Sequence, residues 1–316
     1  MRYRSSIIQL VCAWVIFLVG GCSSTDLDKD GNPKVFKIAL STSNEDNPQE
    51  ATRNMEPMRL YLEAKLHVPV RYIQVVGYAP VIEALRARKI QMAQMSPYPY
   101  LLARDKAQVT ALFCMGKKDG SQTGDYKSCI ITRKSSGLKT LDDIKANISK
   151  LTLSFVDPAS SSGHIIPYNY LIRNGIDPER EFKKVVFTSS HPASILTLIS
   201  GKVDVACAEK PVIVQMHNRF KSVSVDSFNF IWVSPPIPAT AYCLRNDINP
   251  QFRKKVLEAY MSVKEDTAAW NAIKRNRLTR MSTTLPLDSL SYIPVDLKIY
   301  DEFSKMVKGM KDVEIK

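Results

Sequence analysis

Apolar positions along this chain follow two alternating rhythms. Short runs, VFKIALS (35–41), VPVRYIQVV (68–76) and IQMAQM (90–95), read as buried strands. Between them, Met55, Met58 and Leu62 mark a helical stripe within Ala51–Leu66. Tyr78, Val81, Ile82 and Leu85 fall at i, i+3, i+4 and i+7, the face of an amphipathic helix. A hairpin is predicted between about 108 and 133, and then the alternation resumes. TLDDI (140–144) reads as a short capped helix, and LTLSFV (151–156), KVVFT (184–188) and VDVACA (203–208) read as strands with helices between them. From Asn249 onward the pattern is mostly helical. Strands alternating with helices predict mostly parallel sheets covered on both faces, an α/β fold.

The two halves repeat weakly. Tyr78, Val81, Ile82, Leu85, Lys89, Ile90, Ala93 and Pro97 match His191, Ser194, Ile195, Leu198, Lys202, Val203, Ala206 and, one residue late, Pro211. Each copy is a helix, a basic turn and a strand. Tyr78 and His191 therefore fall at equivalent helix starts. Ligands of open α/β sheets bind outside the carboxyl ends of the strands, so two similar lobes facing each other would bring both residues to one cleft.

The stretch LTLSFVDPASSSGHIIPYNYL (151–171) carries the most chemistry: a strand, three serines and a glycine, then a helix. A helix start leaves amides without intrahelical acceptors and carries partial positive charge, so an oxyanion finds donors in place there. One serine is expected to cap the helix. Ser160, Ser161, Ser162 and Gly163 are read as an anion site that binds without chemistry. His164 is read as a helix-surface residue, Glu209 as structural or rim, and His67 and His217 as solvated.

The formal charge of +13 fits a field that draws in small anions, the neighbourhood of anionic lipid, or simply a solvated basic surface. Export argues against nucleic acid as the partner. Arg2 and Arg4 precede an apolar run from Ile7 to Val19, too short to span a bilayer and fitting a signal peptide. Val19, Gly20, Gly21 and Cys22 then resemble a bacterial lipobox, in which the cysteine takes lipid. Residues 1–21 are thus read as a lipoprotein signal peptide and 22–33 as a flexible tether. Ser23 after the cysteine favours the outer membrane, facing the periplasm, if the cell has one. Of the remaining cysteines, Cys114 and Cys129 flank the predicted hairpin, and Cys207 and Cys243 lie on apolar strands. Two disulfides or four buried thiols both fit. No Cys/His metal spacing is present, and neither metal nor cofactor is expected.

The phrases VVGYAPVIEALRARKI, MSPYPYLLA, VDPASSSGHIIP, GIDPEREFKKVVFTSSHPASILTLISGKVDVA and VSPPIPATAY, spread over roughly 35–260, resemble the phosphonate/phosphite/phosphate substrate-binding proteins of ABC transporters. The resemblance implies a two-lobed, type II periplasmic-binding-protein fold. Lobe 1 would comprise 34–133 and 244–316, and lobe 2 would comprise 134–243. The chain would cross near Thr132–Leu138 and Thr240–Arg245. Carried over by position, Ser160, Ser161 and Ser162 bind the oxyanion with amides near Gly163, His191 donates from a second helix start, and Tyr78 contributes from lobe 1. Tyr98 or Tyr100 lines the wall. Members that hold aminophosphonates use carboxylates for the ammonium group, and one is expected near Thr240, where this chain has none. The ligand implied is a phosphate, phosphite or short alkylphosphonate delivered by a monomer to an ABC permease. A sensing or interaction lipoprotein of the same fold is the alternative. A serine hydrolase built on Ser, His191 and Asp157 is disfavoured, because no G-x-S-x-G, HExxH, Walker A or GxGxxG is present.

Overall fold

In the computed structural model, the residues described are 26–41, 52–124, 126–219, 223–277 and 285–308. The signal peptide, Cys22 and the first residues of the tether lie outside them. The strands are β1 Phe36–Ser41, β2 Val70–Val75, β3 Met92–Met95, β4 Val109–Lys117, β5 Ser128–Arg133, β6 Thr152–Phe155, β7 Lys184–Phe187, β8 Val205–Glu209, β9 Phe228–Val233, β10 Ala241–Arg245 and β11 Leu290–Pro294. The helices are α1 Glu56–Leu66, α2 Tyr78–Arg86, α3 Pro97–Ala107, α4 Leu141–Asn147, α5 Ile166–Arg173, α6 Pro178–Glu181, α7 His191–Ile199, α8 Lys210–Arg219, α9 Pro250–Met261, α10 Thr267–Arg277 and α11 Leu297–Lys308.

These elements form two sheets, ordered β11-β4-β10-β3-β1-β2 and β7-β6-β8-β5-β9. β1 pairs in parallel with β2 and β3, and β6 with β7 and β8, as the alternation predicts. Both sheets are mixed as wholes, because β10 runs antiparallel to β3 in the first and β5 runs antiparallel to β8 in the second. Each sheet has apolar clusters on its two faces, for example Phe36, Leu62 and Phe252 on one side of the first and Leu85, Met95 and Tyr300 on the other. TLDDI begins with the expected cap: Thr140 Oγ1 accepts the Asp143 N–H at 3.1 Å, and the Asp143 carboxylate accepts the Thr140 N–H at 2.8 Å. The helical reading of the C-terminal third holds for α9, α10 and α11, with β11 added as an edge strand.

Two expectations need correction, and one open alternative is decided. First, 108–133 is not a hairpin. β4 lies in the first sheet and β5 in the second, so the chain crosses between lobes at 118–127 and returns at 234–240. Two adjacent apolar strands with a polar turn look alike whether they pair with each other or with distant partners. Lobe 2 therefore begins at β5, earlier than expected, and the return precedes β10. The two crossings bond to each other through Ile237 N–H to Tyr126 O, at 2.8 Å, and Ala239 N–H to Gln122 Oε1, at 2.8 Å.

Second, Cys114, Cys129, Cys207 and Cys243 are all buried thiols, and none is in a disulfide. Both disulfide pairings are excluded by topology, because Cys114 and Cys243 sit on first-sheet strands while Cys129 and Cys207 sit on second-sheet strands. Third, the described part of the tether is clasped onto lobe 1. Arg245, 2% exposed at the end of β10, reaches Asp26 Oδ2 at 2.6 Å and Asp247 Oδ2 at 2.7 Å, and Gln91 Nε2 donates to Asp26 at 2.6 Å. Asp28 turns the chain by accepting the Asp30 and Asn32 amides, and Asn249 N–H donates to Gly31 O at 2.9 Å.

Candidate functional site

The carboxyl ends of β6 and β8 and the starts of α2, α3 and α7 converge where the lobes meet. The serine cluster forms the floor. β6 ends, the chain turns at Asp157, and a wide helical turn spans Ser161–Ile165 before α5. Ser160 is the cap, its Oγ accepting the Gly163 N–H at 3.0 Å. Gly163 is required by space, since a β-carbon there would lie 2.5 Å from Val156 Cβ. The Gly163 amide is thus already engaged, and the amides that a helix start offers to an anion are those of the two residues before it.

Ser161 and Ser162 face other elements. Ser161 Oγ accepts the Tyr98 N–H at 2.9 Å and donates to Ser96 Oγ at 3.1 Å, joining lobe 2 to the first turn of α3. Ser96 occupies the cap position of α3, yet its hydroxyl points to Tyr78 OH, at 3.4 Å, and makes no cap bond. Tyr126 OH donates to Ser162 Oγ at 3.1 Å, and Ser128 Oγ donates to Ser162 O at 2.6 Å. Ser160, Ser161 and Ser162 are all buried.

The predicted equivalence of Tyr78 and His191 appears in the fold, since each is the first residue of a nine-residue helix, α2 and α7. Gly77 before Tyr78 has φ +83, a backbone that favours glycine, and faces Asp157 across the lobes. Burial is the main cause pushing the Tyr78 hydroxyl up to about 12, with the charges of Glu209 and Asp157 adding to it and the Ser96 bond opposing it. The Tyr126 hydroxyl is also pushed well up, again through burial first and then Glu209. Both are neutral donors at physiological pH.

His191 is buried, and burial lowers its pKa to about 4, so its ring is neutral. Its Nδ1 accepts the Glu209 N–H at 3.0 Å, which places the ring proton on Nε2. Such a histidine donates from Nε2 and has no lone pair there to take a serine's proton, which argues against the triad alternative.

Tyr98 is half-buried at the start of α3, its amide on Ser161. Tyr100 does not line the cleft: it packs edge-on against Tyr300 in the core, ring centroids 5.2 Å apart, with Arg104 over its face. It lies two residues further along α3, turned to the sheet. Glu209 is not at the rim. It ends β8, is 5% exposed and holds Oε2 3.8 Å from His191 Nε2. His164 is not on the surface. It is buried against Phe155, Tyr168 and Phe187, with Nδ1 2.8 Å from Pro158 O. His67 and His217 are exposed as expected. Tyr126, Ser96 and Ser128 escaped the sequence reading. The lone aromatic in the polar stretch KKDGSQTGDYKS was the available signal for Tyr126.

Residues 42–286 match the model of the family described as ABC transporter, phosphonate, periplasmic substrate-binding protein. The phosphate-import protein PhnD of Mycolicibacterium smegmatis is 24% identical, over 79% of this chain and 79% of its own. A binding-protein component of a phosphonate ABC transporter from Pseudomonas aeruginosa superposes with TM-score 0.72 at 20% identity, over 89% of this chain and 90% of its own. PhnD1 of Prochlorococcus marinus, solved with methylphosphonate, superposes with TM-score 0.69 at 18% identity, over 89% of this chain and all of its own (100%). These neighbours share the two-lobed, type II periplasmic-binding architecture. The chain belongs to the periplasmic substrate-binding protein family of phosphonate ABC transporters.

Proposed function

We propose that the protein captures a small phosphorus oxyanion, phosphate, phosphite or a short alkylphosphonate, between its lobes and passes it to an ABC permease. The observation that carries this reading is the meeting of neutral donors from both lobes. Lobe 2 brings Ser160, Ser161 and Ser162 with the first-turn amides and His191 Nε2–H, lobe 1 brings Tyr78, Ser96 and the Tyr98 amide, and Tyr126 joins them from the crossing. Hydroxyls and amides stabilise an anion without neutralising it, which keeps the ligand releasable. The relatives' ligands, phosphate for one and methylphosphonate for another, are of the class proposed.

Closure would follow from contacts that reach the ligand from both lobes, to the extent that they favour the closed form over the open one. Lipid at Cys22 would hold the protein, acting as a monomer, to the membrane of the envelope. The experiment is calorimetry with phosphate, phosphite and methylphosphonate on the wild type and on a triple variant with Ser160, Ser161 and Ser162 changed to alanine. Binding should be lost in the variant. Unchanged affinity in a folded triple variant sinks the site.

A further inference from the structure

The clasp on lobe 1 lies at the end of the sheet that the cleft leaves unused. β2 and β3 run toward the cleft, their carboxyl ends leading to Tyr78 and Ser96. Their amino ends, with that of β1, mark the opposite pole. Arg245 is at this pole, because β10 runs antiparallel to β3 with Leu244 opposite Met92. Its buried guanidinium fastens Asp26 there, at 2.6 Å. Leu27 packs against the Phe36 cluster and pairs with Pro33, and Lys34 N–H donates to Asp26 O at 3.0 Å.

This fastening shortens the leash. Residues 23–35 separate Cys22 from β1, and extended they would reach roughly 45–50 Å. With Asp26 clasped, only Ser23, Ser24 and Thr25 intervene, a reach of at most roughly 14 Å. The pole is also basic. Lys29 and Lys34 are exposed on the clasp, Arg88 and Lys89 on the turn from α2 into β3, and Lys106 at the end of α3. Among the carboxylates, Asp26 and Asp247 are held by Arg245, with Arg88 a further 3.5 Å from Asp247, and Asp105 lies 3.7 Å from Arg104. Asp28 and Asp30 on the clasp offset the cations only in part.

Resting on lipid at Cys22, we propose that this pole lies on the anionic headgroups of the membrane that carries the lipid, and that the clasp keeps it there with the cleft facing away from the bilayer. Each lysine or arginine held near an anionic bilayer strengthens binding about fivefold. That attraction fades over a Debye length of about 8 Å, so the clasped leash holds the pole inside roughly two such lengths even at full stretch, and a free one would let it drift about three times as far. β2, six residues long, spans about 20 Å, which sets the cleft that far above the headgroups.

The experiment uses the full chain, purified with its lipid and reconstituted into vesicles that carry a quencher on their headgroups. A fluorophore is attached through Ala87→Cys on the pole or Val76→Cys at the cleft end, both exposed, while the native thiols are buried. In phosphatidylglycerol vesicles the label at position 87 should be quenched several-fold more than the label at position 76. Phosphatidylcholine vesicles, or Lys29→Glu with Lys34→Glu and Lys89→Glu, should bring the two labels close to equality. Arg245→Met should narrow the difference by lengthening the leash. Equal quenching of both labels in phosphatidylglycerol overturns the orientation. A difference that survives both phosphatidylcholine and the triple charge reversal overturns the headgroup contact. A purified chain whose mass shows no acyl group on Cys22 overturns the anchor instead.

Discussion

Changing Gly163 to alanine tests the serine turn through the sign of its effect. A helical glycine replaced by alanine ordinarily gains about 0.5–1 kcal/mol from backbone entropy. Here the new β-carbon would stand 2.5 Å from both Val156 Cβ and Cγ2, and 2.9 Å from Ser160 Oγ. Carbons pack best at about 3.5–4.0 Å, so the overlap exceeds about 1 Å. Val156 cannot retreat easily, because its N–H donates to Gly163 O at 3.1 Å and its carbonyl accepts the Ser189 N–H at 2.7 Å. Overpacking of this kind costs about 1–3 kcal/mol, and a displaced Ser160 cap adds about 1 kcal/mol. Gly163→Ala should therefore destabilise by about 2–3 kcal/mol in urea unfolding and weaken oxyanion binding at least about tenfold. Gly137→Ala is the control: its φ is +77 with open space around the β-carbon, so it should cost about 1 kcal/mol of strain and leave affinity unchanged. A Gly163→Ala protein as stable as the wild type would refute the close-packing argument.

Three further outcomes are expected. Arg245→Met should cost about 3 kcal/mol, the low end for an opened buried ion pair because Asp247 is partly solvated and screened, and trypsin should then cleave at Lys29 and Lys34. His191 resists protonation when folded, with a pKa of about 4 against 6.5, so the unfolded chain binds the extra proton between those values. Stability should be complete above about pH 6.5 and fall by about 3 kcal/mol in all as the pH drops to about 4, a slope that His191→Gln removes in urea titrations. A thiol reagent should leave Cys114, Cys129, Cys207 and Cys243 unmodified in the native protein and label all four after denaturation, as counted by mass spectrometry.

What the sequence made legible was local. The i, i+3, i+4, i+7 spacing after Tyr78 and His191 placed both residues at helix starts, and the run of serines after an apolar strand marked the turn that lies between the lobes. What it hid depends on distant partners. β4 and β5 are each apolar and separated by a polar turn, and only their pairing with β10 and β8 shows that they belong to different lobes. The stretch Asp26–Pro33 is polar and reads as a leash, yet its carboxylate meets an arginine 219 positions away. Glu209 was read as structural or rim because nothing local distinguishes a strand-end glutamate that is buried from one that is wet. Tyr100 and Tyr98 are two apart on one short helix, and the helical period that sends one to the cleft sends the other to the core.

Tyr126 lies where the chain passes from one lobe to the other, and its backbone bonds to the returning strand at Ile237. Points near a rotation axis travel least. Were the halves to part about these crossings, as the proposed capture requires, the Tyr126 hydroxyl would keep its place over Ser162, while Ser96 and the Tyr98 amide, on a longer lever arm, would swing away from Ser161. An arriving anion would then meet a pocket already half assembled, with the pivot as part of its wall. The grip of the far lobe would be what it gains last and surrenders first.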